Sequence, residues 1–321
     1  MNVEPHRWVL LALLTALVLP NHASAARRCF FFCSTSSGYT ETQHPIVLAH
    51  GWTGFDSLFG VFDYFHDIED ELEDDGATVY VTAVSPANTS EFRGEELIEQ
   101  LDDIRAITGR RDLKFNLIGH SQGGLDSRYV HAVRPDLVAS ITTVGTLHKG
   151  SGTADFVFGI LRQGSPLQVL ISAFGNLAAD VIALLSGTNT INDADAALFA
   201  LTSQKAAQFN AAYPAGVPAR CGEGAASQNG VRFYSWGGAS TRTNILDLSD
   251  PLLALTGSVI DEPNDGLVGR CSNHFGDVLR DDYRMNHLDL VNQVLGLTSL
   301  FETDPRSVYR SHANRLKNAG L

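Results

Sequence analysis

The stretch Lys114-Phe115-Asn116-Leu117-Ile118-Gly119-His120-Ser121-Gln122-Gly123-Gly124-Leu125 decides how the rest of the chain is read. Lys114 to Ile118 is a short, largely apolar run of strand character, and Leu125 to Val133 has helical spacing. Between them, Gly119-His120-Ser121-Gln122-Gly123 fits G-x-S-x-G. A strand-to-helix turn this sharp needs residues without side chains on either side of its centre. It holds the serine in a strained backbone conformation with the hydroxyl exposed above the sheet. The helix N-terminus behind Ser121 favours negative charge developing beside it. In strand–turn–helix context the motif reads as a nucleophile.

The flanking sequence repeats the same rhythm. His44 to His50 contains the continuous apolar run Ile46-Val47-Leu48-Ala49, and Thr78 to Val84 is rich in β-branched residues; both read as buried strands. Glu95 to Thr108 carries Leu97, Ile98, Leu101, Ile104 and Ile107 at helical spacing, and Ile141 to Val144 returns to strand. Strand and helix in alternation predict an α/β fold whose mostly parallel central sheet is flanked by helices. The chain has 321 residues, 44% hydrophobic and 18% charged, with no internal repeat or low-complexity linker, so one domain is expected. A net charge of −13 argues against binding a phosphate backbone or docking on anionic membranes by bulk charge. Seven carboxylates between Asp67 and Asp75 read as a solvated helix face, because the run lacks the glycine turn of a calcium loop. Leu167 to Leu185 has Asp180 as its one charge, and Gln168, Ser172, Asn176 and Asp180 recur every four residues. That stripe fits an apolar helix, either buried in the core or serving as a lid that exposes its apolar face to lipid.

Trp8 to Leu19 is an apolar run of about twelve residues after His6 and Arg7, followed by Ala23-Ser24-Ala25. The run is too short to span a bilayer and reads as a signal peptide over 1–25, leaving 26–321 as an exported domain that tolerates disulfides. Cys29 and Cys33 frame Phe30-Phe31-Phe32; a C-x3-C pair without a second half is weak evidence for zinc and suits a local disulfide or free thiols better. Cys221 and Cys271 lie far enough apart in sequence to staple two loops.

A serine hydroxyl needs a base. Of the downstream histidines, His131 falls inside the helix after the turn and His312 in a basic tail. His287 follows the strand-like Val278-Leu279 and precedes the helical pattern Leu288, Val291, Leu295, on a loop where the base belongs. The acid is expected between Ser121 and His287. Asp265, in the turn Pro263-Asn264-Asp265-Gly266, suits the role, with Asp247, Asp250 and Asp261 as rivals. Two backbone N–H groups should hold the oxyanion: that of Gln122, after the nucleophile, and that of Trp52, in the loop after the first strand. No H-E-x-x-H or comparable cluster supports a zinc hydrolase.

These residues resemble the secreted true lipases of the Pseudomonas and Burkholderia type, from about His44 to Leu321. The resemblance rests on His44-Pro45-Ile46-Val47-Leu48-Ala49-His50-Gly51, on Gly119 to Gly124, on Asn264-Asp265-Gly266-Leu267-Val268, on Tyr283-Arg284-Met285-Asn286-His287-Leu288-Asp289, and on the tail His312 to Lys317. It implies an α/β-hydrolase fold with a helical lid insertion at about 150–200, and triacylglycerol hydrolysis with Ser121, Asp265 and His287 as the triad. It also implies a Cys221–Cys271 disulfide pinning the acid loop. A structural Ca²⁺ would be held by the Asp247 and Asp289 carboxylates and the Gln293 and Leu297 carbonyls, and Asp289 also suits a helix N-cap. The resemblance further implies a membrane-anchored foldase in the periplasm and two-step secretion to the extracellular medium. Trp52 stands where a slimmer apolar residue is expected and is expected to narrow the acyl pocket, and Phe30 to Phe32 match nothing in the family. A lidless carboxylesterase or polyester hydrolase is the nearest alternative, and a catalytically silent binding module on the same fold is the alternative from another class.

Overall fold

Seven strands form the central sheet of the computed structural model, which describes residues 37–52, 57–58, 62–163 and 194–321, all inside one compact unit, Ser36–Leu321. Residues 1–25 (expected to form a signal peptide), Cys29, Cys33 and the segment Leu167 to Leu185 lie outside the described residues.

The sheet order is β4(Val79–Thr82), β1(Ile46–Ala49), β5(Phe115–His120), β6(Val138–Val144), β8(Val231–Gly238); β7(Ser227–Gln228) and β9(Asp277–Tyr283) both pair with β8. Every pairing is parallel except β7 with β8. A separate two-stranded ribbon joins β2(Ser57–Leu58) to β3(Phe62–Asp63). Burial on both faces explains the continuous apolar runs. On β1, Ile46 and Leu48 enter the core packed by α1(Ile68–Asp74) and the last helix, and Val47 and Ala49 enter the core packed by α2(Ser90–Thr108) and α3(Gln122–Val133). The polar residues of β6 are paired inside the sheet: Ser140 donates to Asn116 Oδ1 at 2.7 Å, and Thr142 lies 2.7 Å from His312 Nε2.

Helix α2 begins at Ser90, earlier than the apolar spacing indicated, because Thr89 caps it and Gly94 hides its first turn from the pattern. A Cβ on Gly94 would sit 2.4 Å from the Tyr129 ring. Helix α1 buries only Ile68 and Leu72, and most of its carboxylates face solvent, as the charge run indicated. The remaining helices among the described residues are α4(Gly152–Gln163), α5(Ala194–Ala200), α6(Ser203–Ala212), α7(Asp250–Gly257) and α8(Pro305–Asn318). His312 is fully buried on α8, so it is a core residue of a helix and not part of a loose basic tail. The helix expected after His287 is only a 3-10 turn, Asp289–Val291, which Asn292 ends in the left-handed region at φ 57°. Among the described residues no helix is long and apolar enough to cross a membrane.

The chain leaves β1 for β4 on one side and later returns to β5 on the other. That reversal of winding opens a crevice beyond the carboxyl ends of β1 and β5, the place where parallel sheets bind ligands. Gly51 and Ser121 sit there.

Candidate active site

Ser121 has φ 54° and ψ −124°, a conformation that costs about 1–3 kcal/mol for a residue with a side chain. The surroundings impose it. The Ser121 N–H donates to the Val144 carbonyl of β6 at 2.8 Å, tying the turn to the neighbouring strand. The helix then starts so close to β1 that a Cβ on Gly123 would lie 2.3 Å from the Ala49 carbonyl oxygen. Gly51 faces the nucleophile at similar range: a Cβ there would be 2.6 Å from Ser121 Cβ and 3.1 Å from its Oγ. Only glycine at both positions lets the first strand and the serine turn approach each other.

His287 and Asp265 meet as the sequence indicated. His287 Nδ1 is 2.8 Å from Asp265 Oδ2, with both side chains almost completely buried. The other carboxylate oxygen accepts the N–H groups of Leu267 (3.0 Å) and Val268 (2.7 Å), and the His287 N–H donates to the Asp265 carbonyl at 2.8 Å. A carboxylate accepts only, so Nδ1 carries the proton and the Nε2 lone pair is left for the serine hydroxyl. The rival carboxylates are placed elsewhere: Asp247 and Asp250 both hold the Asn286 side-chain amide at 3.0 Å, and Asp261 is exposed. The Cys221–Cys271 disulfide is formed, and Cys271 lies on the acid loop as implied.

The oxyanion loop is shaped by residues the sequence reading passed over. Arg93, fully buried on α2, pairs with Asp126 of α3 at 2.8 Å. It donates to the carbonyls of Ser85, of His50 at 2.7 Å and of Gly51 at 3.3 Å. His50 Nε2 accepts the Val84 N–H at 3.1 Å, so its protonated Nδ1 donates to the Gly51 carbonyl at 2.8 Å. Burial and Arg93 push the His50 pKa down to about 3, which keeps this tautomer neutral. With the Gly51 carbonyl turned to Arg93 and His50, the Trp52 N–H of the same trans peptide points the opposite way. Gln122 is the first helical residue, so its N–H has no acceptor within the helix. Its side chain is tied to the Asn88 carbonyl at 2.8 Å. The Trp52 side chain packs on the cluster containing Leu125, Leu147 and Val268.

A second chain of hydrogen bonds joins the oxyanion loop to the base. The Gly51 N–H donates to the Tyr64 hydroxyl (3.1 Å), which faces His120 Nδ1 (2.7 Å), while His120 Nε2 donates to the His287 carbonyl (3.0 Å). Burial, with His287 beside it, holds His120 well below the usual histidine range, and its ring lies 4.6 Å from that of His287. The missed signal for Arg93 was its place four and eight residues before Leu97 and Leu101, a charge on the buried face of α2.

Two of the residues implied for a cation, Asp247 and Asp289, come together beside the base loop. Asp247 and Asp289 are both buried, and Asn286 links them: its side chain donates to Asp247 Oδ2 at 3.0 Å, and its N–H to Asp289 Oδ2 at 3.1 Å. That bond replaces the N-cap role considered for Asp289. Burial, with Asp247 and Asp250 nearby, raises the Asp289 carboxyl to about 7. Gln293 and Leu297 lie on the loop that follows, shaped by left-handed Asn292, Leu295 and Gly296. No cluster of three or more His, Cys, Asp or Glu suited to a metal occurs among the described residues. The implied set takes only two of its four donors from side chains. Its oxygens, and two carboxylates buried against each other's charge, fit a hard cation.

Residues 44–260 match the family model described as alpha/beta hydrolase fold. The chain is 55% identical over 289 residues to a protein of Vibrio cholerae named triacylglycerol lipase, a match that covers 89% of this chain and 92% of that one. It is 40% identical to a protein of the same name from Burkholderia plantarii, covering 88% of each. In fold it is similar to the crystal structure of Staphylococcus hyicus lipase, with a TM-score of 0.57 at 18% identity over 86% of this chain and 96% of that one. With a strained serine turn, a buried His–Asp pair and relatives this similar over nearly their whole length, the chain belongs to the alpha/beta hydrolase fold family and, within it, to the bacterial lipases.

Proposed function

We propose that the protein is a secreted triacylglycerol lipase. The observation that carries this reading is the Asp265–His287 pair beside the Ser121 turn. Ser121 attacks the ester carbonyl as His287 Nε2 takes its proton, and Asp265 steadies the imidazolium. The Gln122 and Trp52 N–H groups receive the oxyanion. His287 then protonates the leaving alcohol, and water repeats the sequence on the acyl-enzyme. Several large apolar side chains near the acid loop support work at a lipid surface: Ile245, Leu246, Leu248 and Leu255 are all more than 60% exposed, and Leu253 of the same helix packs on Gly266. The segment Leu167 to Leu185 serves as the lid. Hydrolysis of emulsified triolein and dissolved tributyrin, by wild type and Ser121→Ala, tests the reading. Activity that rises at the emulsion threshold and vanishes in the variant is expected; activity confined to dissolved short esters would make the protein an esterase without a working lid.

A Ca²⁺ held by Asp247, Asp289 and the Gln293 and Leu297 carbonyls would neutralise the two buried carboxylates and fix the base loop two residues from His287. Chelation should lower the melting temperature; an unchanged value removes the cation from the reading. Export through the periplasm with a dedicated foldase completes the proposal. Refolding yield with and without the partner foldase, from chain lacking 1–25, tests that part.

A further inference from the structure

Midway along α3, Arg128 carries a charge with no counter-charge among the described residues. Arg128 lies seven residues beyond Ser121 on that helix, about 10 Å along its axis. Its side chain is buried at 3% exposure, and no carboxylate lies within ion-pair distance among the described residues. Its partners are neutral: His148 Nδ1 at 3.1 Å, Asn210 Oδ1 at 2.9 Å, the Tyr213 carbonyl, and the Phe209 and Phe275 rings at 5.0 and 5.8 Å. These use three of the five guanidinium N–H groups. The Nε–H is buried with no acceptor among the described residues. An isolated buried cation is costly, and its burial alone draws the pKa down to about 9. In a chain of net charge −13, such a site is an exception.

Arg128 lines a cavity of about 220 Å³. His131, one turn further along α3, lines it too; its Nε2 lies 3.4 Å from Gln228 Oε1, and its Nδ1 has no partner among the described residues. Ile141, Pro214 and Phe275 make much of the rest of the wall apolar, and exposed Ala132 and Ala212 stand at its rim. The volume is below the roughly 300–1,000 Å³ of sites for drug-sized ligands, so the occupant is small. A guanidinium on an apolar wall matches one chemistry: a carboxylate head on a short alkyl chain. Resting on the lipase reading above, the same chemistry describes the product of the reaction.

We propose that this cavity is a second ligand site, separate from the catalytic centre, which binds short-chain fatty carboxylates through Arg128. Calorimetric titration of sodium hexanoate into the whole protein tests it, with hexanamide as the uncharged probe. Hexanoate should bind wild type and Ser121→Ala alike. Binding should weaken at least tenfold in Arg128→Gln and in Ala212→Phe, which plugs the rim without touching the cation, and hexanamide should bind at least tenfold more weakly than hexanoate. Ester hydrolysis by Ala212→Phe should match wild type, showing that the variant is folded. Absence of hexanoate binding, equal binding of hexanamide, or binding untouched by Ala212→Phe overturns the site. Failure of the lipase reading appears independently, as absence of ester hydrolysis by wild type.

Discussion

Among the described residues, two pairs of a buried histidine with an aspartate close at 2.8 Å, and only one of them is proposed as catalytic. His287 meets Asp265 across 22 residues of sequence, and His274 meets Asp281 across seven. In both, the imidazole is only 4% exposed. What separates them is the nitrogen that faces away from the carboxylate. His274 donates from Nε2 to Asp281 Oδ2, and its Nδ1 accepts the Gly222 N–H at 2.8 Å, beside the Cys221 sulfur. With both nitrogens engaged, this imidazole has no lone pair to offer a nucleophile. It pins the disulfide loop to β9. His287 reaches its carboxylate through Nδ1, so Nε2 is the nitrogen left to serve the nucleophile, and its backbone carbonyl is gripped by His120 at the residue before Ser121. A His–Asp pair becomes a base only where one nitrogen is left unsatisfied on the nucleophile's side.

Exchanging each acid for its amide sets the two pairs against each other most sharply. Asp265→Asn should favour the wrong tautomer of His287 and lower kcat on emulsified triacylglycerol by about 10⁴. Asp281→Asn should leave kcat within twofold of wild type. A large loss of kcat in Asp281→Asn, with the protein still folded, would show that the second pair also serves catalysis.

Arg93 provides the next test, because it acts on the oxyanion side of the first pair. Arg93→Met leaves Asp126 buried alone and should cost about 3–5 kcal/mol of stability, measured by denaturant unfolding. The double variant Arg93→Met/Asp126→Leu should recover most of that stability, since a buried ion pair replaced by apolar groups is often neutral. It should nevertheless stay slow, because the His50 and Gly51 carbonyls have lost the donor that orients the Trp52 N–H. Full recovery of kcat in the double variant would reduce Arg93 to a packing residue.

These two pairs also mark what was legible in the chain. The turn at Ser121, the parallel sheet and the acid and base loops were readable, because each rests on local grammar: a motif between strand and helix, an Asn-Asp-Gly turn, apolar runs of strand length. Resemblance then chose Asp265 over Asp247, Asp250 and Asp261, a choice spacing left open. Tyr64, His120, Arg93 and Asp126 were not readable, since their roles come from contacts as distant as 167 residues in sequence. The helix expected after His287 failed for a related reason. Leu288, Val291 and Leu295 keep helical spacing, but Asn292 and Leu295 take left-handed conformations that turn the chain instead. A period in the sequence records which residues face the core and does not record a loop bent around buried carboxylates.

The disulfide beside His274 should matter less than Arg93. Cys221→Ser/Cys271→Ser should cost about 2–5 kcal/mol in unfolding and leave kcat near wild type at 25 °C. Asp265 is held independently, by the N–H groups of Leu267 and Val268 and by its carbonyl's bond from His287. A loss of kcat matching that of Asp265→Asn would show that the catalytic loop depends on the staple.

The smallest effect belongs to the structural pair itself, and its pH dependence has a definite sign. Arg270, at 2.7 Å from the other Asp281 oxygen, and then His274 hold the Asp281 carboxyl below its ordinary value. A carboxyl depressed on folding contributes stability that is complete above its unfolded pKa, about 3.9, and is lost as pH falls through the folded one. The difference in unfolding free energy between wild type and Asp281→Asn should therefore be constant at about 1 kcal/mol near pH 6, the scale of a charged hydrogen bond on a partly exposed group, and shrink below about pH 4. A difference that grows as pH falls would show that Arg270 does not hold the Asp281 carboxyl in its charged form. The geometry predicts the shrinking difference, because a protonated Asp281 gives up the charge that the Arg270 guanidinium grips at 2.7 Å.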